Sequence, residues 1–211
     1  MTEQEVQRLT HACSKMPVAQ GVYLETEYLV NIFLTVLDLQ MHNKAVDAAI
    51  DYYRQHRHNE VRTLDDLASI LAMHPNDRKG NLLVAQCLWG NNHWTRVQWL
   101  RNFVPFLQQN KLTTHEALYE WAHRSDFAID FKGKVKYLDI AAYKWLTMRL
   151  GVDTVKPDVH LHRFVKQVIG RGVTDAELVS GLEEVARRLR LSARELDWSL
   201  WEFQRGAAGA I

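Results

Sequence analysis

The sequence predicts an all-α protein, and three observations carry that expectation. Apolar residues recur at three- and four-residue spacing along nearly the whole chain, as in Leu29, Ile32, Phe33, Val36 and Leu37, or Leu138, Ala142, Trp145 and Leu146. That spacing gathers them on one helical face. No convincing strand of alternating apolar and polar residues is found. Five segments open with Ser or Thr followed three positions on by an acid: Thr2/Glu5, Thr63/Asp66, Thr113/Glu116, Thr174/Glu177 and Ser192/Glu195. In such a capping box the hydroxyl accepts from the first turn and the acid reaches back.

In chain order, helices are expected over about 2–16, 25–39, 42–57, 63–73, 80–90, 92–109, 113–124, 136–150, 158–170, 174–190 and 192–205. The first, fourth, seventh, tenth and eleventh begin at capping boxes. The second and eighth carry the apolar stripes named above. Between the fourth and fifth, "AMHPNDRKGN" reads as a loop, because it holds Pro, Asn and Gly. "DFAIDFKGK" also reads as a loop, rich in lysine, that leads into the eighth helix. That helix ends at Gly151, and a short connection then delivers Asp158, directly after Pro157, to the head of the ninth.

The 211 residues are enough for one substantial core, as a single domain or as two small lobes. With 47% hydrophobic and 24% charged residues, the chain is expected to be ordered nearly throughout. "MTEQEVQRLTHACSKM" has no apolar signal-like core and no run reaches the length of a membrane span, so a cytoplasmic, non-membrane protein of the bacterial cytosol or nucleoid type is expected. Cys13 and Cys87 are the only cysteines, too few for a disulfide framework or a four-thiolate site, and no cofactor or metal is expected. The net charge is +1, yet residues 131–171 hold Lys or Arg at 132, 134, 136, 144, 149, 156, 163, 166 and 171 against Asp139, Asp153 and Asp158. A solvated face or attraction to nucleic acid would each explain that excess.

Residues 131–164, "FKGKVKYLDIAAYKWLTMRLGVDTVKPDVHLHRF", join a Gly-bearing basic turn, an apolar helix, a short loop and an aspartate at a helix head. This unit resembles the hairpin, helix and catalytic-aspartate region of the helix-hairpin-helix DNA glycosylases, the superfamily of endonuclease III and the adenine glycosylases. The family's Val-Asp-Thr-His-x-x-Arg pattern is matched in its Asp, His and Arg positions by Asp158, His160 and Arg163. Upstream, "EYLVNIFLTVLDLQMHNKAVDAAIDYY" resembles the family's early helix pair, with Gln40 on the glutamine that helps fill the gap left by a flipped nucleotide. The departures are a hairpin with Gly133 alone where Gly-x-Gly is usual, a long tryptophan-rich segment after residue 74, and no C-terminal cysteine cluster.

The resemblance implies two helical lobes with an interlobe cleft, a central lobe of residues 26–152 and a second lobe of 1–25 plus 153–211. It also implies a monomeric, cluster-free enzyme that acts on double-stranded DNA. Base-excision chemistry needs an anion beside the sugar carbon, because breaking an N-glycosidic bond leaves positive charge on the ring. Asp158, with a reference pKa of about 3.9, is the candidate catalyst; the plain alternative is a helix N-cap. Asp158, His160 and His162 do not make a metal site, since alternating spacing spreads them around the helix axis. Lys132, Gly133, Lys134, Lys136, Arg163 and His160 are the candidates for DNA contact, and a solvated basic loop is the alternative. Gln40, Asp38 and His42 are the candidates for the base pocket or the vacated stack. The place of a Schiff-base lysine falls near Asp139 or Ile140, which favours a monofunctional enzyme, with Lys136 or Lys144 as the fallback nucleophiles. Two rival readings are a non-catalytic DNA-binding scaffold on the same fold, supported by the irregular hairpin, and an all-helical protein-interaction domain, supported if the tryptophans form an exposed patch.

Overall fold

The computed structural model describes residues 1–19, 21, 23–39 and 41–208, with the backbone alone for 205–208. Among these residues there are eleven α-helices and no strand, so the protein is all-α. In order they are α1 (Glu3–Cys13), α2 (Tyr28–Leu37), α3 (Asn43–His56), α4 (Leu64–Ala72), α5 (Arg78–Trp89), α6 (Trp94–Gln109), α7 (His115–Arg124), α8 (Ile140–Arg149), α9 (Val159–Ile169), α10 (Asp175–Leu189) and α11 (Ala193–Ala208). The chain divides into two compact units, Met1–Leu24 with Thr147–Ile211, and Glu25–Leu146.

In the unit of Glu25–Leu146, α2 is buried from Leu29 to Leu37. Its sequence, YLVNIFLTVL, is apolar nearly all round, as a helix enclosed by others must be. The two polar residues inside it are satisfied locally: Asn31 Nδ2 donates to Glu25 O at 2.8 Å and Thr35 Oγ1 to Asn31 O at 2.7 Å. Helices α3 and α6 pack on α2, and α5 packs on α3 and α6. Phe33 meets Tyr53 and Trp89 edge-on, and a second aromatic cluster joins Phe103, Phe106, Trp121, Phe131 and Tyr143. The loop after α4 is clamped by Arg101, which donates to the carbonyls of Leu71 and His74 and to Asn81 Oδ1.

In the other unit, α1 packs on α9 and α10, and α11 packs on the same two helices. Leu9, Leu161, Val165, Leu178, Leu182 and Leu200 fill its core. Arg171 pairs with Glu5 at 2.7 Å and Arg188 with Glu3 at 2.7 Å, holding α1 to the C-terminal helices on the outside. Glu5 is buried while Glu3 is exposed, and an exposed pair such as Arg188–Glu3 contributes roughly 0–1 kcal/mol, so burial of the apolar faces dominates here.

Three details differ from expectation. Thr114, not Thr113, caps α7, accepting from Ala117 N at 3.2 Å. With the cap at 114 the residue three positions on is Ala117, so only half of a capping box forms. Residues 127–131, expected as loop, make one turn of π-helix, because Asp126 accepts from Ala128 N and Ile129 N at its start. Helix α8 begins at Ile140 and not near 136, because Lys132–Tyr137 form a turn in which Gly133 and Tyr137 both take left-handed backbone, at φ +73° and +72°.

Candidate functional site

Asp158 is the N-cap of α9. Its Oδ1 accepts from His160 N at 2.8 Å and Leu161 N at 3.0 Å, satisfying two of the donors that a helix start leaves open. Capping therefore accounts for one oxygen; Oδ2 accepts no hydrogen bond among the described residues. Asp158 is half-buried.

The loop that delivers Asp158 is tied to two helices. Thr154 Oγ1 donates to Glu183 Oε1 of α10 at 2.6 Å, Lys156 N donates to Asp197 Oδ1 of α11 at 2.8 Å, and Arg194 N donates to Asp153 Oδ1 at 3.1 Å. Asp197 is 7% exposed. Burial pushes its carboxyl up to about 7, the Lys156 N–H opposes that rise, and the nearby charge of Asp158 adds to it. The loop thus joins two carboxyl groups in contrasting settings, Asp158 at its end with one oxygen free of hydrogen bonds among the described residues, and Asp197 of α11, buried and inclined to hold its proton near neutrality. Such contrast is a common feature of acid–base sites.

Asp197 escaped the sequence reading, although a signal was present. It lies four residues after Ala193 and three before Leu200, both buried, and so falls inside the apolar stripe of α11. Around Asp158, the ring of His160 has a buried Nδ1 without a partner, Arg163 is exposed, and His162 Nε2 lies 2.6 Å from Asp175 Oδ1. No group of three or more His, Cys, Asp or Glu able to hold a metal occurs among the described residues.

The second set of candidates lies in the unit of Glu25–Leu146. Lys132, Gly133, Lys134 and Lys136 are all exposed on the turn before α8. Within this turn Lys134 N donates to Phe131 O at 2.9 Å and Leu138 N to Val135 O at 3.3 Å. The N–H groups of Gly133, Val135, Lys136 and Tyr137 donate to no backbone carbonyl among the described residues. The turn borders an open hollow of about 720 Å³, whose wall also includes Asn102 of α6. Backbone N–H groups and ammonium groups around an open hollow are donors suited to phosphate oxygens.

Of the stack-filling candidates, Gln40 lies outside the described residues. Asp38 is the C-cap of α2 and His42 the N-cap of α3, so both flank the connection in question. That connection is held by Arg96 of α6, which donates to Leu39 O. Arg96 is buried, which pulls its pKa down to about 10, and its guanidinium lies 3.9 Å from the centre of the Trp99 ring. Trp99 stacks on Tyr137 with centroids 6.3 Å apart. Helix α6 thereby links the 38–42 connection to the basic turn, which no spacing in the sequence indicates.

None of the seven tryptophans is exposed; Trp89 and Trp121 are buried and the others half-buried. The interaction-domain reading thus loses the exposed patch on which it rested. No described helix is long and apolar enough to cross a membrane.

A family model described as a domain of unknown function, DUF8548, matches residues 100–205, half of the chain, and the protein belongs to that family. The matched span takes in the basic turn, Asp158 and Asp197. No curated protein and no solved structure matches the chain.

Proposed function

We propose that the protein is a monofunctional DNA glycosylase, of the helix-hairpin-helix kind, that hydrolyses the N-glycosidic bond of a damaged or modified base flipped from duplex DNA. The observation that carries this reading is Asp158, fixed by its cap bonds at the head of α9 with one carboxylate oxygen left open. An anion in that state can face the positive charge that develops on the sugar, at little reorganisation cost during reaction. In this reading the two compact units are the enzyme's lobes, and the turn at Lys132–Tyr137 is its hairpin. The free N–H groups and the lysines of the turn would grip phosphates, as a non-sequence-specific hairpin requires. The monofunctional choice rests on the start of α8. Asp139 Oδ1 accepts from Ile140 N at 2.9 Å, and neither residue carries an amine.

The test is single-turnover base release from a panel of damaged and modified duplexes, with alkali added afterwards to reveal abasic sites. Asp158→Asn keeps size and an oxygen for the cap but removes the anion. It should lower base release by about a thousandfold or more, with folding and DNA binding retained. Equal release by the two proteins would end the catalytic claim. Strand nicking without alkali would redirect it to Lys136 or Lys144, and no release from any substrate would favour a non-catalytic DNA-binding scaffold.

A further inference from the structure

Tyr137 is a large aromatic residue in left-handed backbone, at φ +72°, a place where glycine is the usual occupant. Bulky residues rarely accept this conformation, and where they do the strain tends to mark a site where the side chain is needed. The ring does not retreat into the core: it is 45% exposed. It is held from behind by Trp99, whose plane lies within 23° of its own, and Trp99 in turn is backed by the Arg96 guanidinium. The Lys136 ammonium lies 5.0 Å from the ring centre. A rigid, partly open aromatic face is therefore presented beside the lysines of the turn. On the wall of the same hollow stands Asn102, whose Nδ2 donates to Gln98 O while its Oδ1 accepts no hydrogen bond among the described residues.

We propose that this ladder is a stacking subsite for one unpaired nucleotide of single-stranded DNA, its base on Tyr137 and its flanking phosphates on Lys132, Lys134 and Lys136. Every base has a π-face, so an aromatic platform beside a cationic track captures single strands with little regard to sequence. The Asn102 amide oxygen is placed to accept from a base edge, and the Lys136 side chain is long enough to leave the ring for a phosphate. Charge complementarity selects the occupant. An apolar peptide would leave three exposed ammonium groups unused, whereas a nucleotide uses both the ring and the charges. The inference rests on the nucleic-acid reading of the turn, but not on catalysis at Asp158.

Fluorescence anisotropy of a labelled oligothymidine and of a blunt duplex tests it, with Tyr137→Gly as the central variant. Glycine relieves the left-handed backbone, so this variant should fold with undiminished thermal stability while losing the platform. Expected is a loss of about tenfold in oligothymidine affinity, with blunt-duplex affinity changed less than twofold, and recovery of most of the loss in Tyr137→Trp. Binding should also quench tryptophan fluorescence in the wild type, and less so in Trp99→Leu. Wild-type oligothymidine affinity in Tyr137→Gly would overturn the subsite. If charge reversal at Lys134 and Lys136 still weakened the duplex, the phosphate-gripping turn would survive that result. No measurable binding of either DNA by the wild type would remove both.

Discussion

The loop before α9 and the turn before α8 each lead into a helix, but they are built on opposite plans. Residues 153–158 are fastened from several directions: Thr154 to α10, Lys156 N to the buried Asp197, Asp153 to Arg194 N, and Asp158 to its own helix. Residues 132–137 are exposed at five positions, carry two left-handed residues and keep few internal hydrogen bonds. The difference fits what each would be asked to do. An anion facing a reacting sugar must hold its position, since a misplaced charge stabilises nothing. Ammonium groups that attract phosphates act at longer range and tolerate motion. Variants in the first region should therefore register in stability or chemistry, and variants in the second in binding and its salt dependence.

The sharpest way to break that contrast is the buried carboxyl of Asp197. Its folded pKa of about 7 lies above the ordinary value near 3.9. The folded state then binds more protons than the unfolded chain between about pH 4 and 7. Stability should fall as pH rises through that window. Asp197→Asn keeps an acceptor for the Lys156 N–H but has nothing to ionise. It should be more stable than wild type at pH 8 by on the order of 3–4 kcal/mol, and nearly level with it at pH 4. Urea unfolding at the two pH values measures this. Identical pH slopes in both proteins would mean that the loop is not anchored on a costly buried acid. Asp158→Asn should also lower the Asp197 titration midpoint, because it removes the neighbouring charge.

The turn makes the next largest effect. Lys134→Glu with Lys136→Glu should weaken duplex binding about tenfold or more, alike for all sequences, and flatten the plot of log affinity against log salt by about two in slope. Unfolding should be unaffected within about 0.5 kcal/mol, since both side chains are exposed. Unchanged affinity would assign these lysines to solvent.

How much of this was legible in the sequence follows the same division. Helices declared themselves through apolar spacing and through caps such as Thr2 with Glu5 and Thr63 with Asp66, both of which form. Those signals are local, and local signals survive folding when the tertiary structure agrees with them. Asp158 was visible because Pro157, Asp158 and His160 stand together in a recognisable pattern. Asp197 went unread although it stands in the apolar stripe of α11, because its hydrogen-bond partner, Lys156 N, lies 41 residues away in sequence. Tyr137 was read into a helix, as an aromatic residue before an apolar stripe ordinarily would be. In the fold it takes left-handed backbone and stacks against Trp99, a contact between distant segments that local spacing does not signal. Arg96 was likewise hidden, because a buried arginine in "WTRVQWL" looks like any surface cation until its partners at Leu39 and Trp99 are known.

The smallest effect offers the cleanest comparison between the regions, because two glycines share one local geometry. Gly133 in the basic turn has φ +73°, Gly170 at the end of α9 has φ +82°, and a Cβ added at either would meet nothing within 4 Å. Alanine at each position should therefore cost the same kind of energy, about 1 kcal/mol for a left-handed L-residue. For a chain of this length that corresponds to a fall in Tm of about 2–4 °C. Their effects on DNA should part company. If the N–H groups after Lys132 cradle phosphates, a shift of the turn toward ordinary backbone misaims them, so Gly133→Ala should lower duplex affinity several-fold while Gly170→Ala leaves it as it was. Matched losses of stability with matched, unchanged affinities would show that the backbone of the turn takes no part in binding, and would leave its lysines as the sole source of attraction.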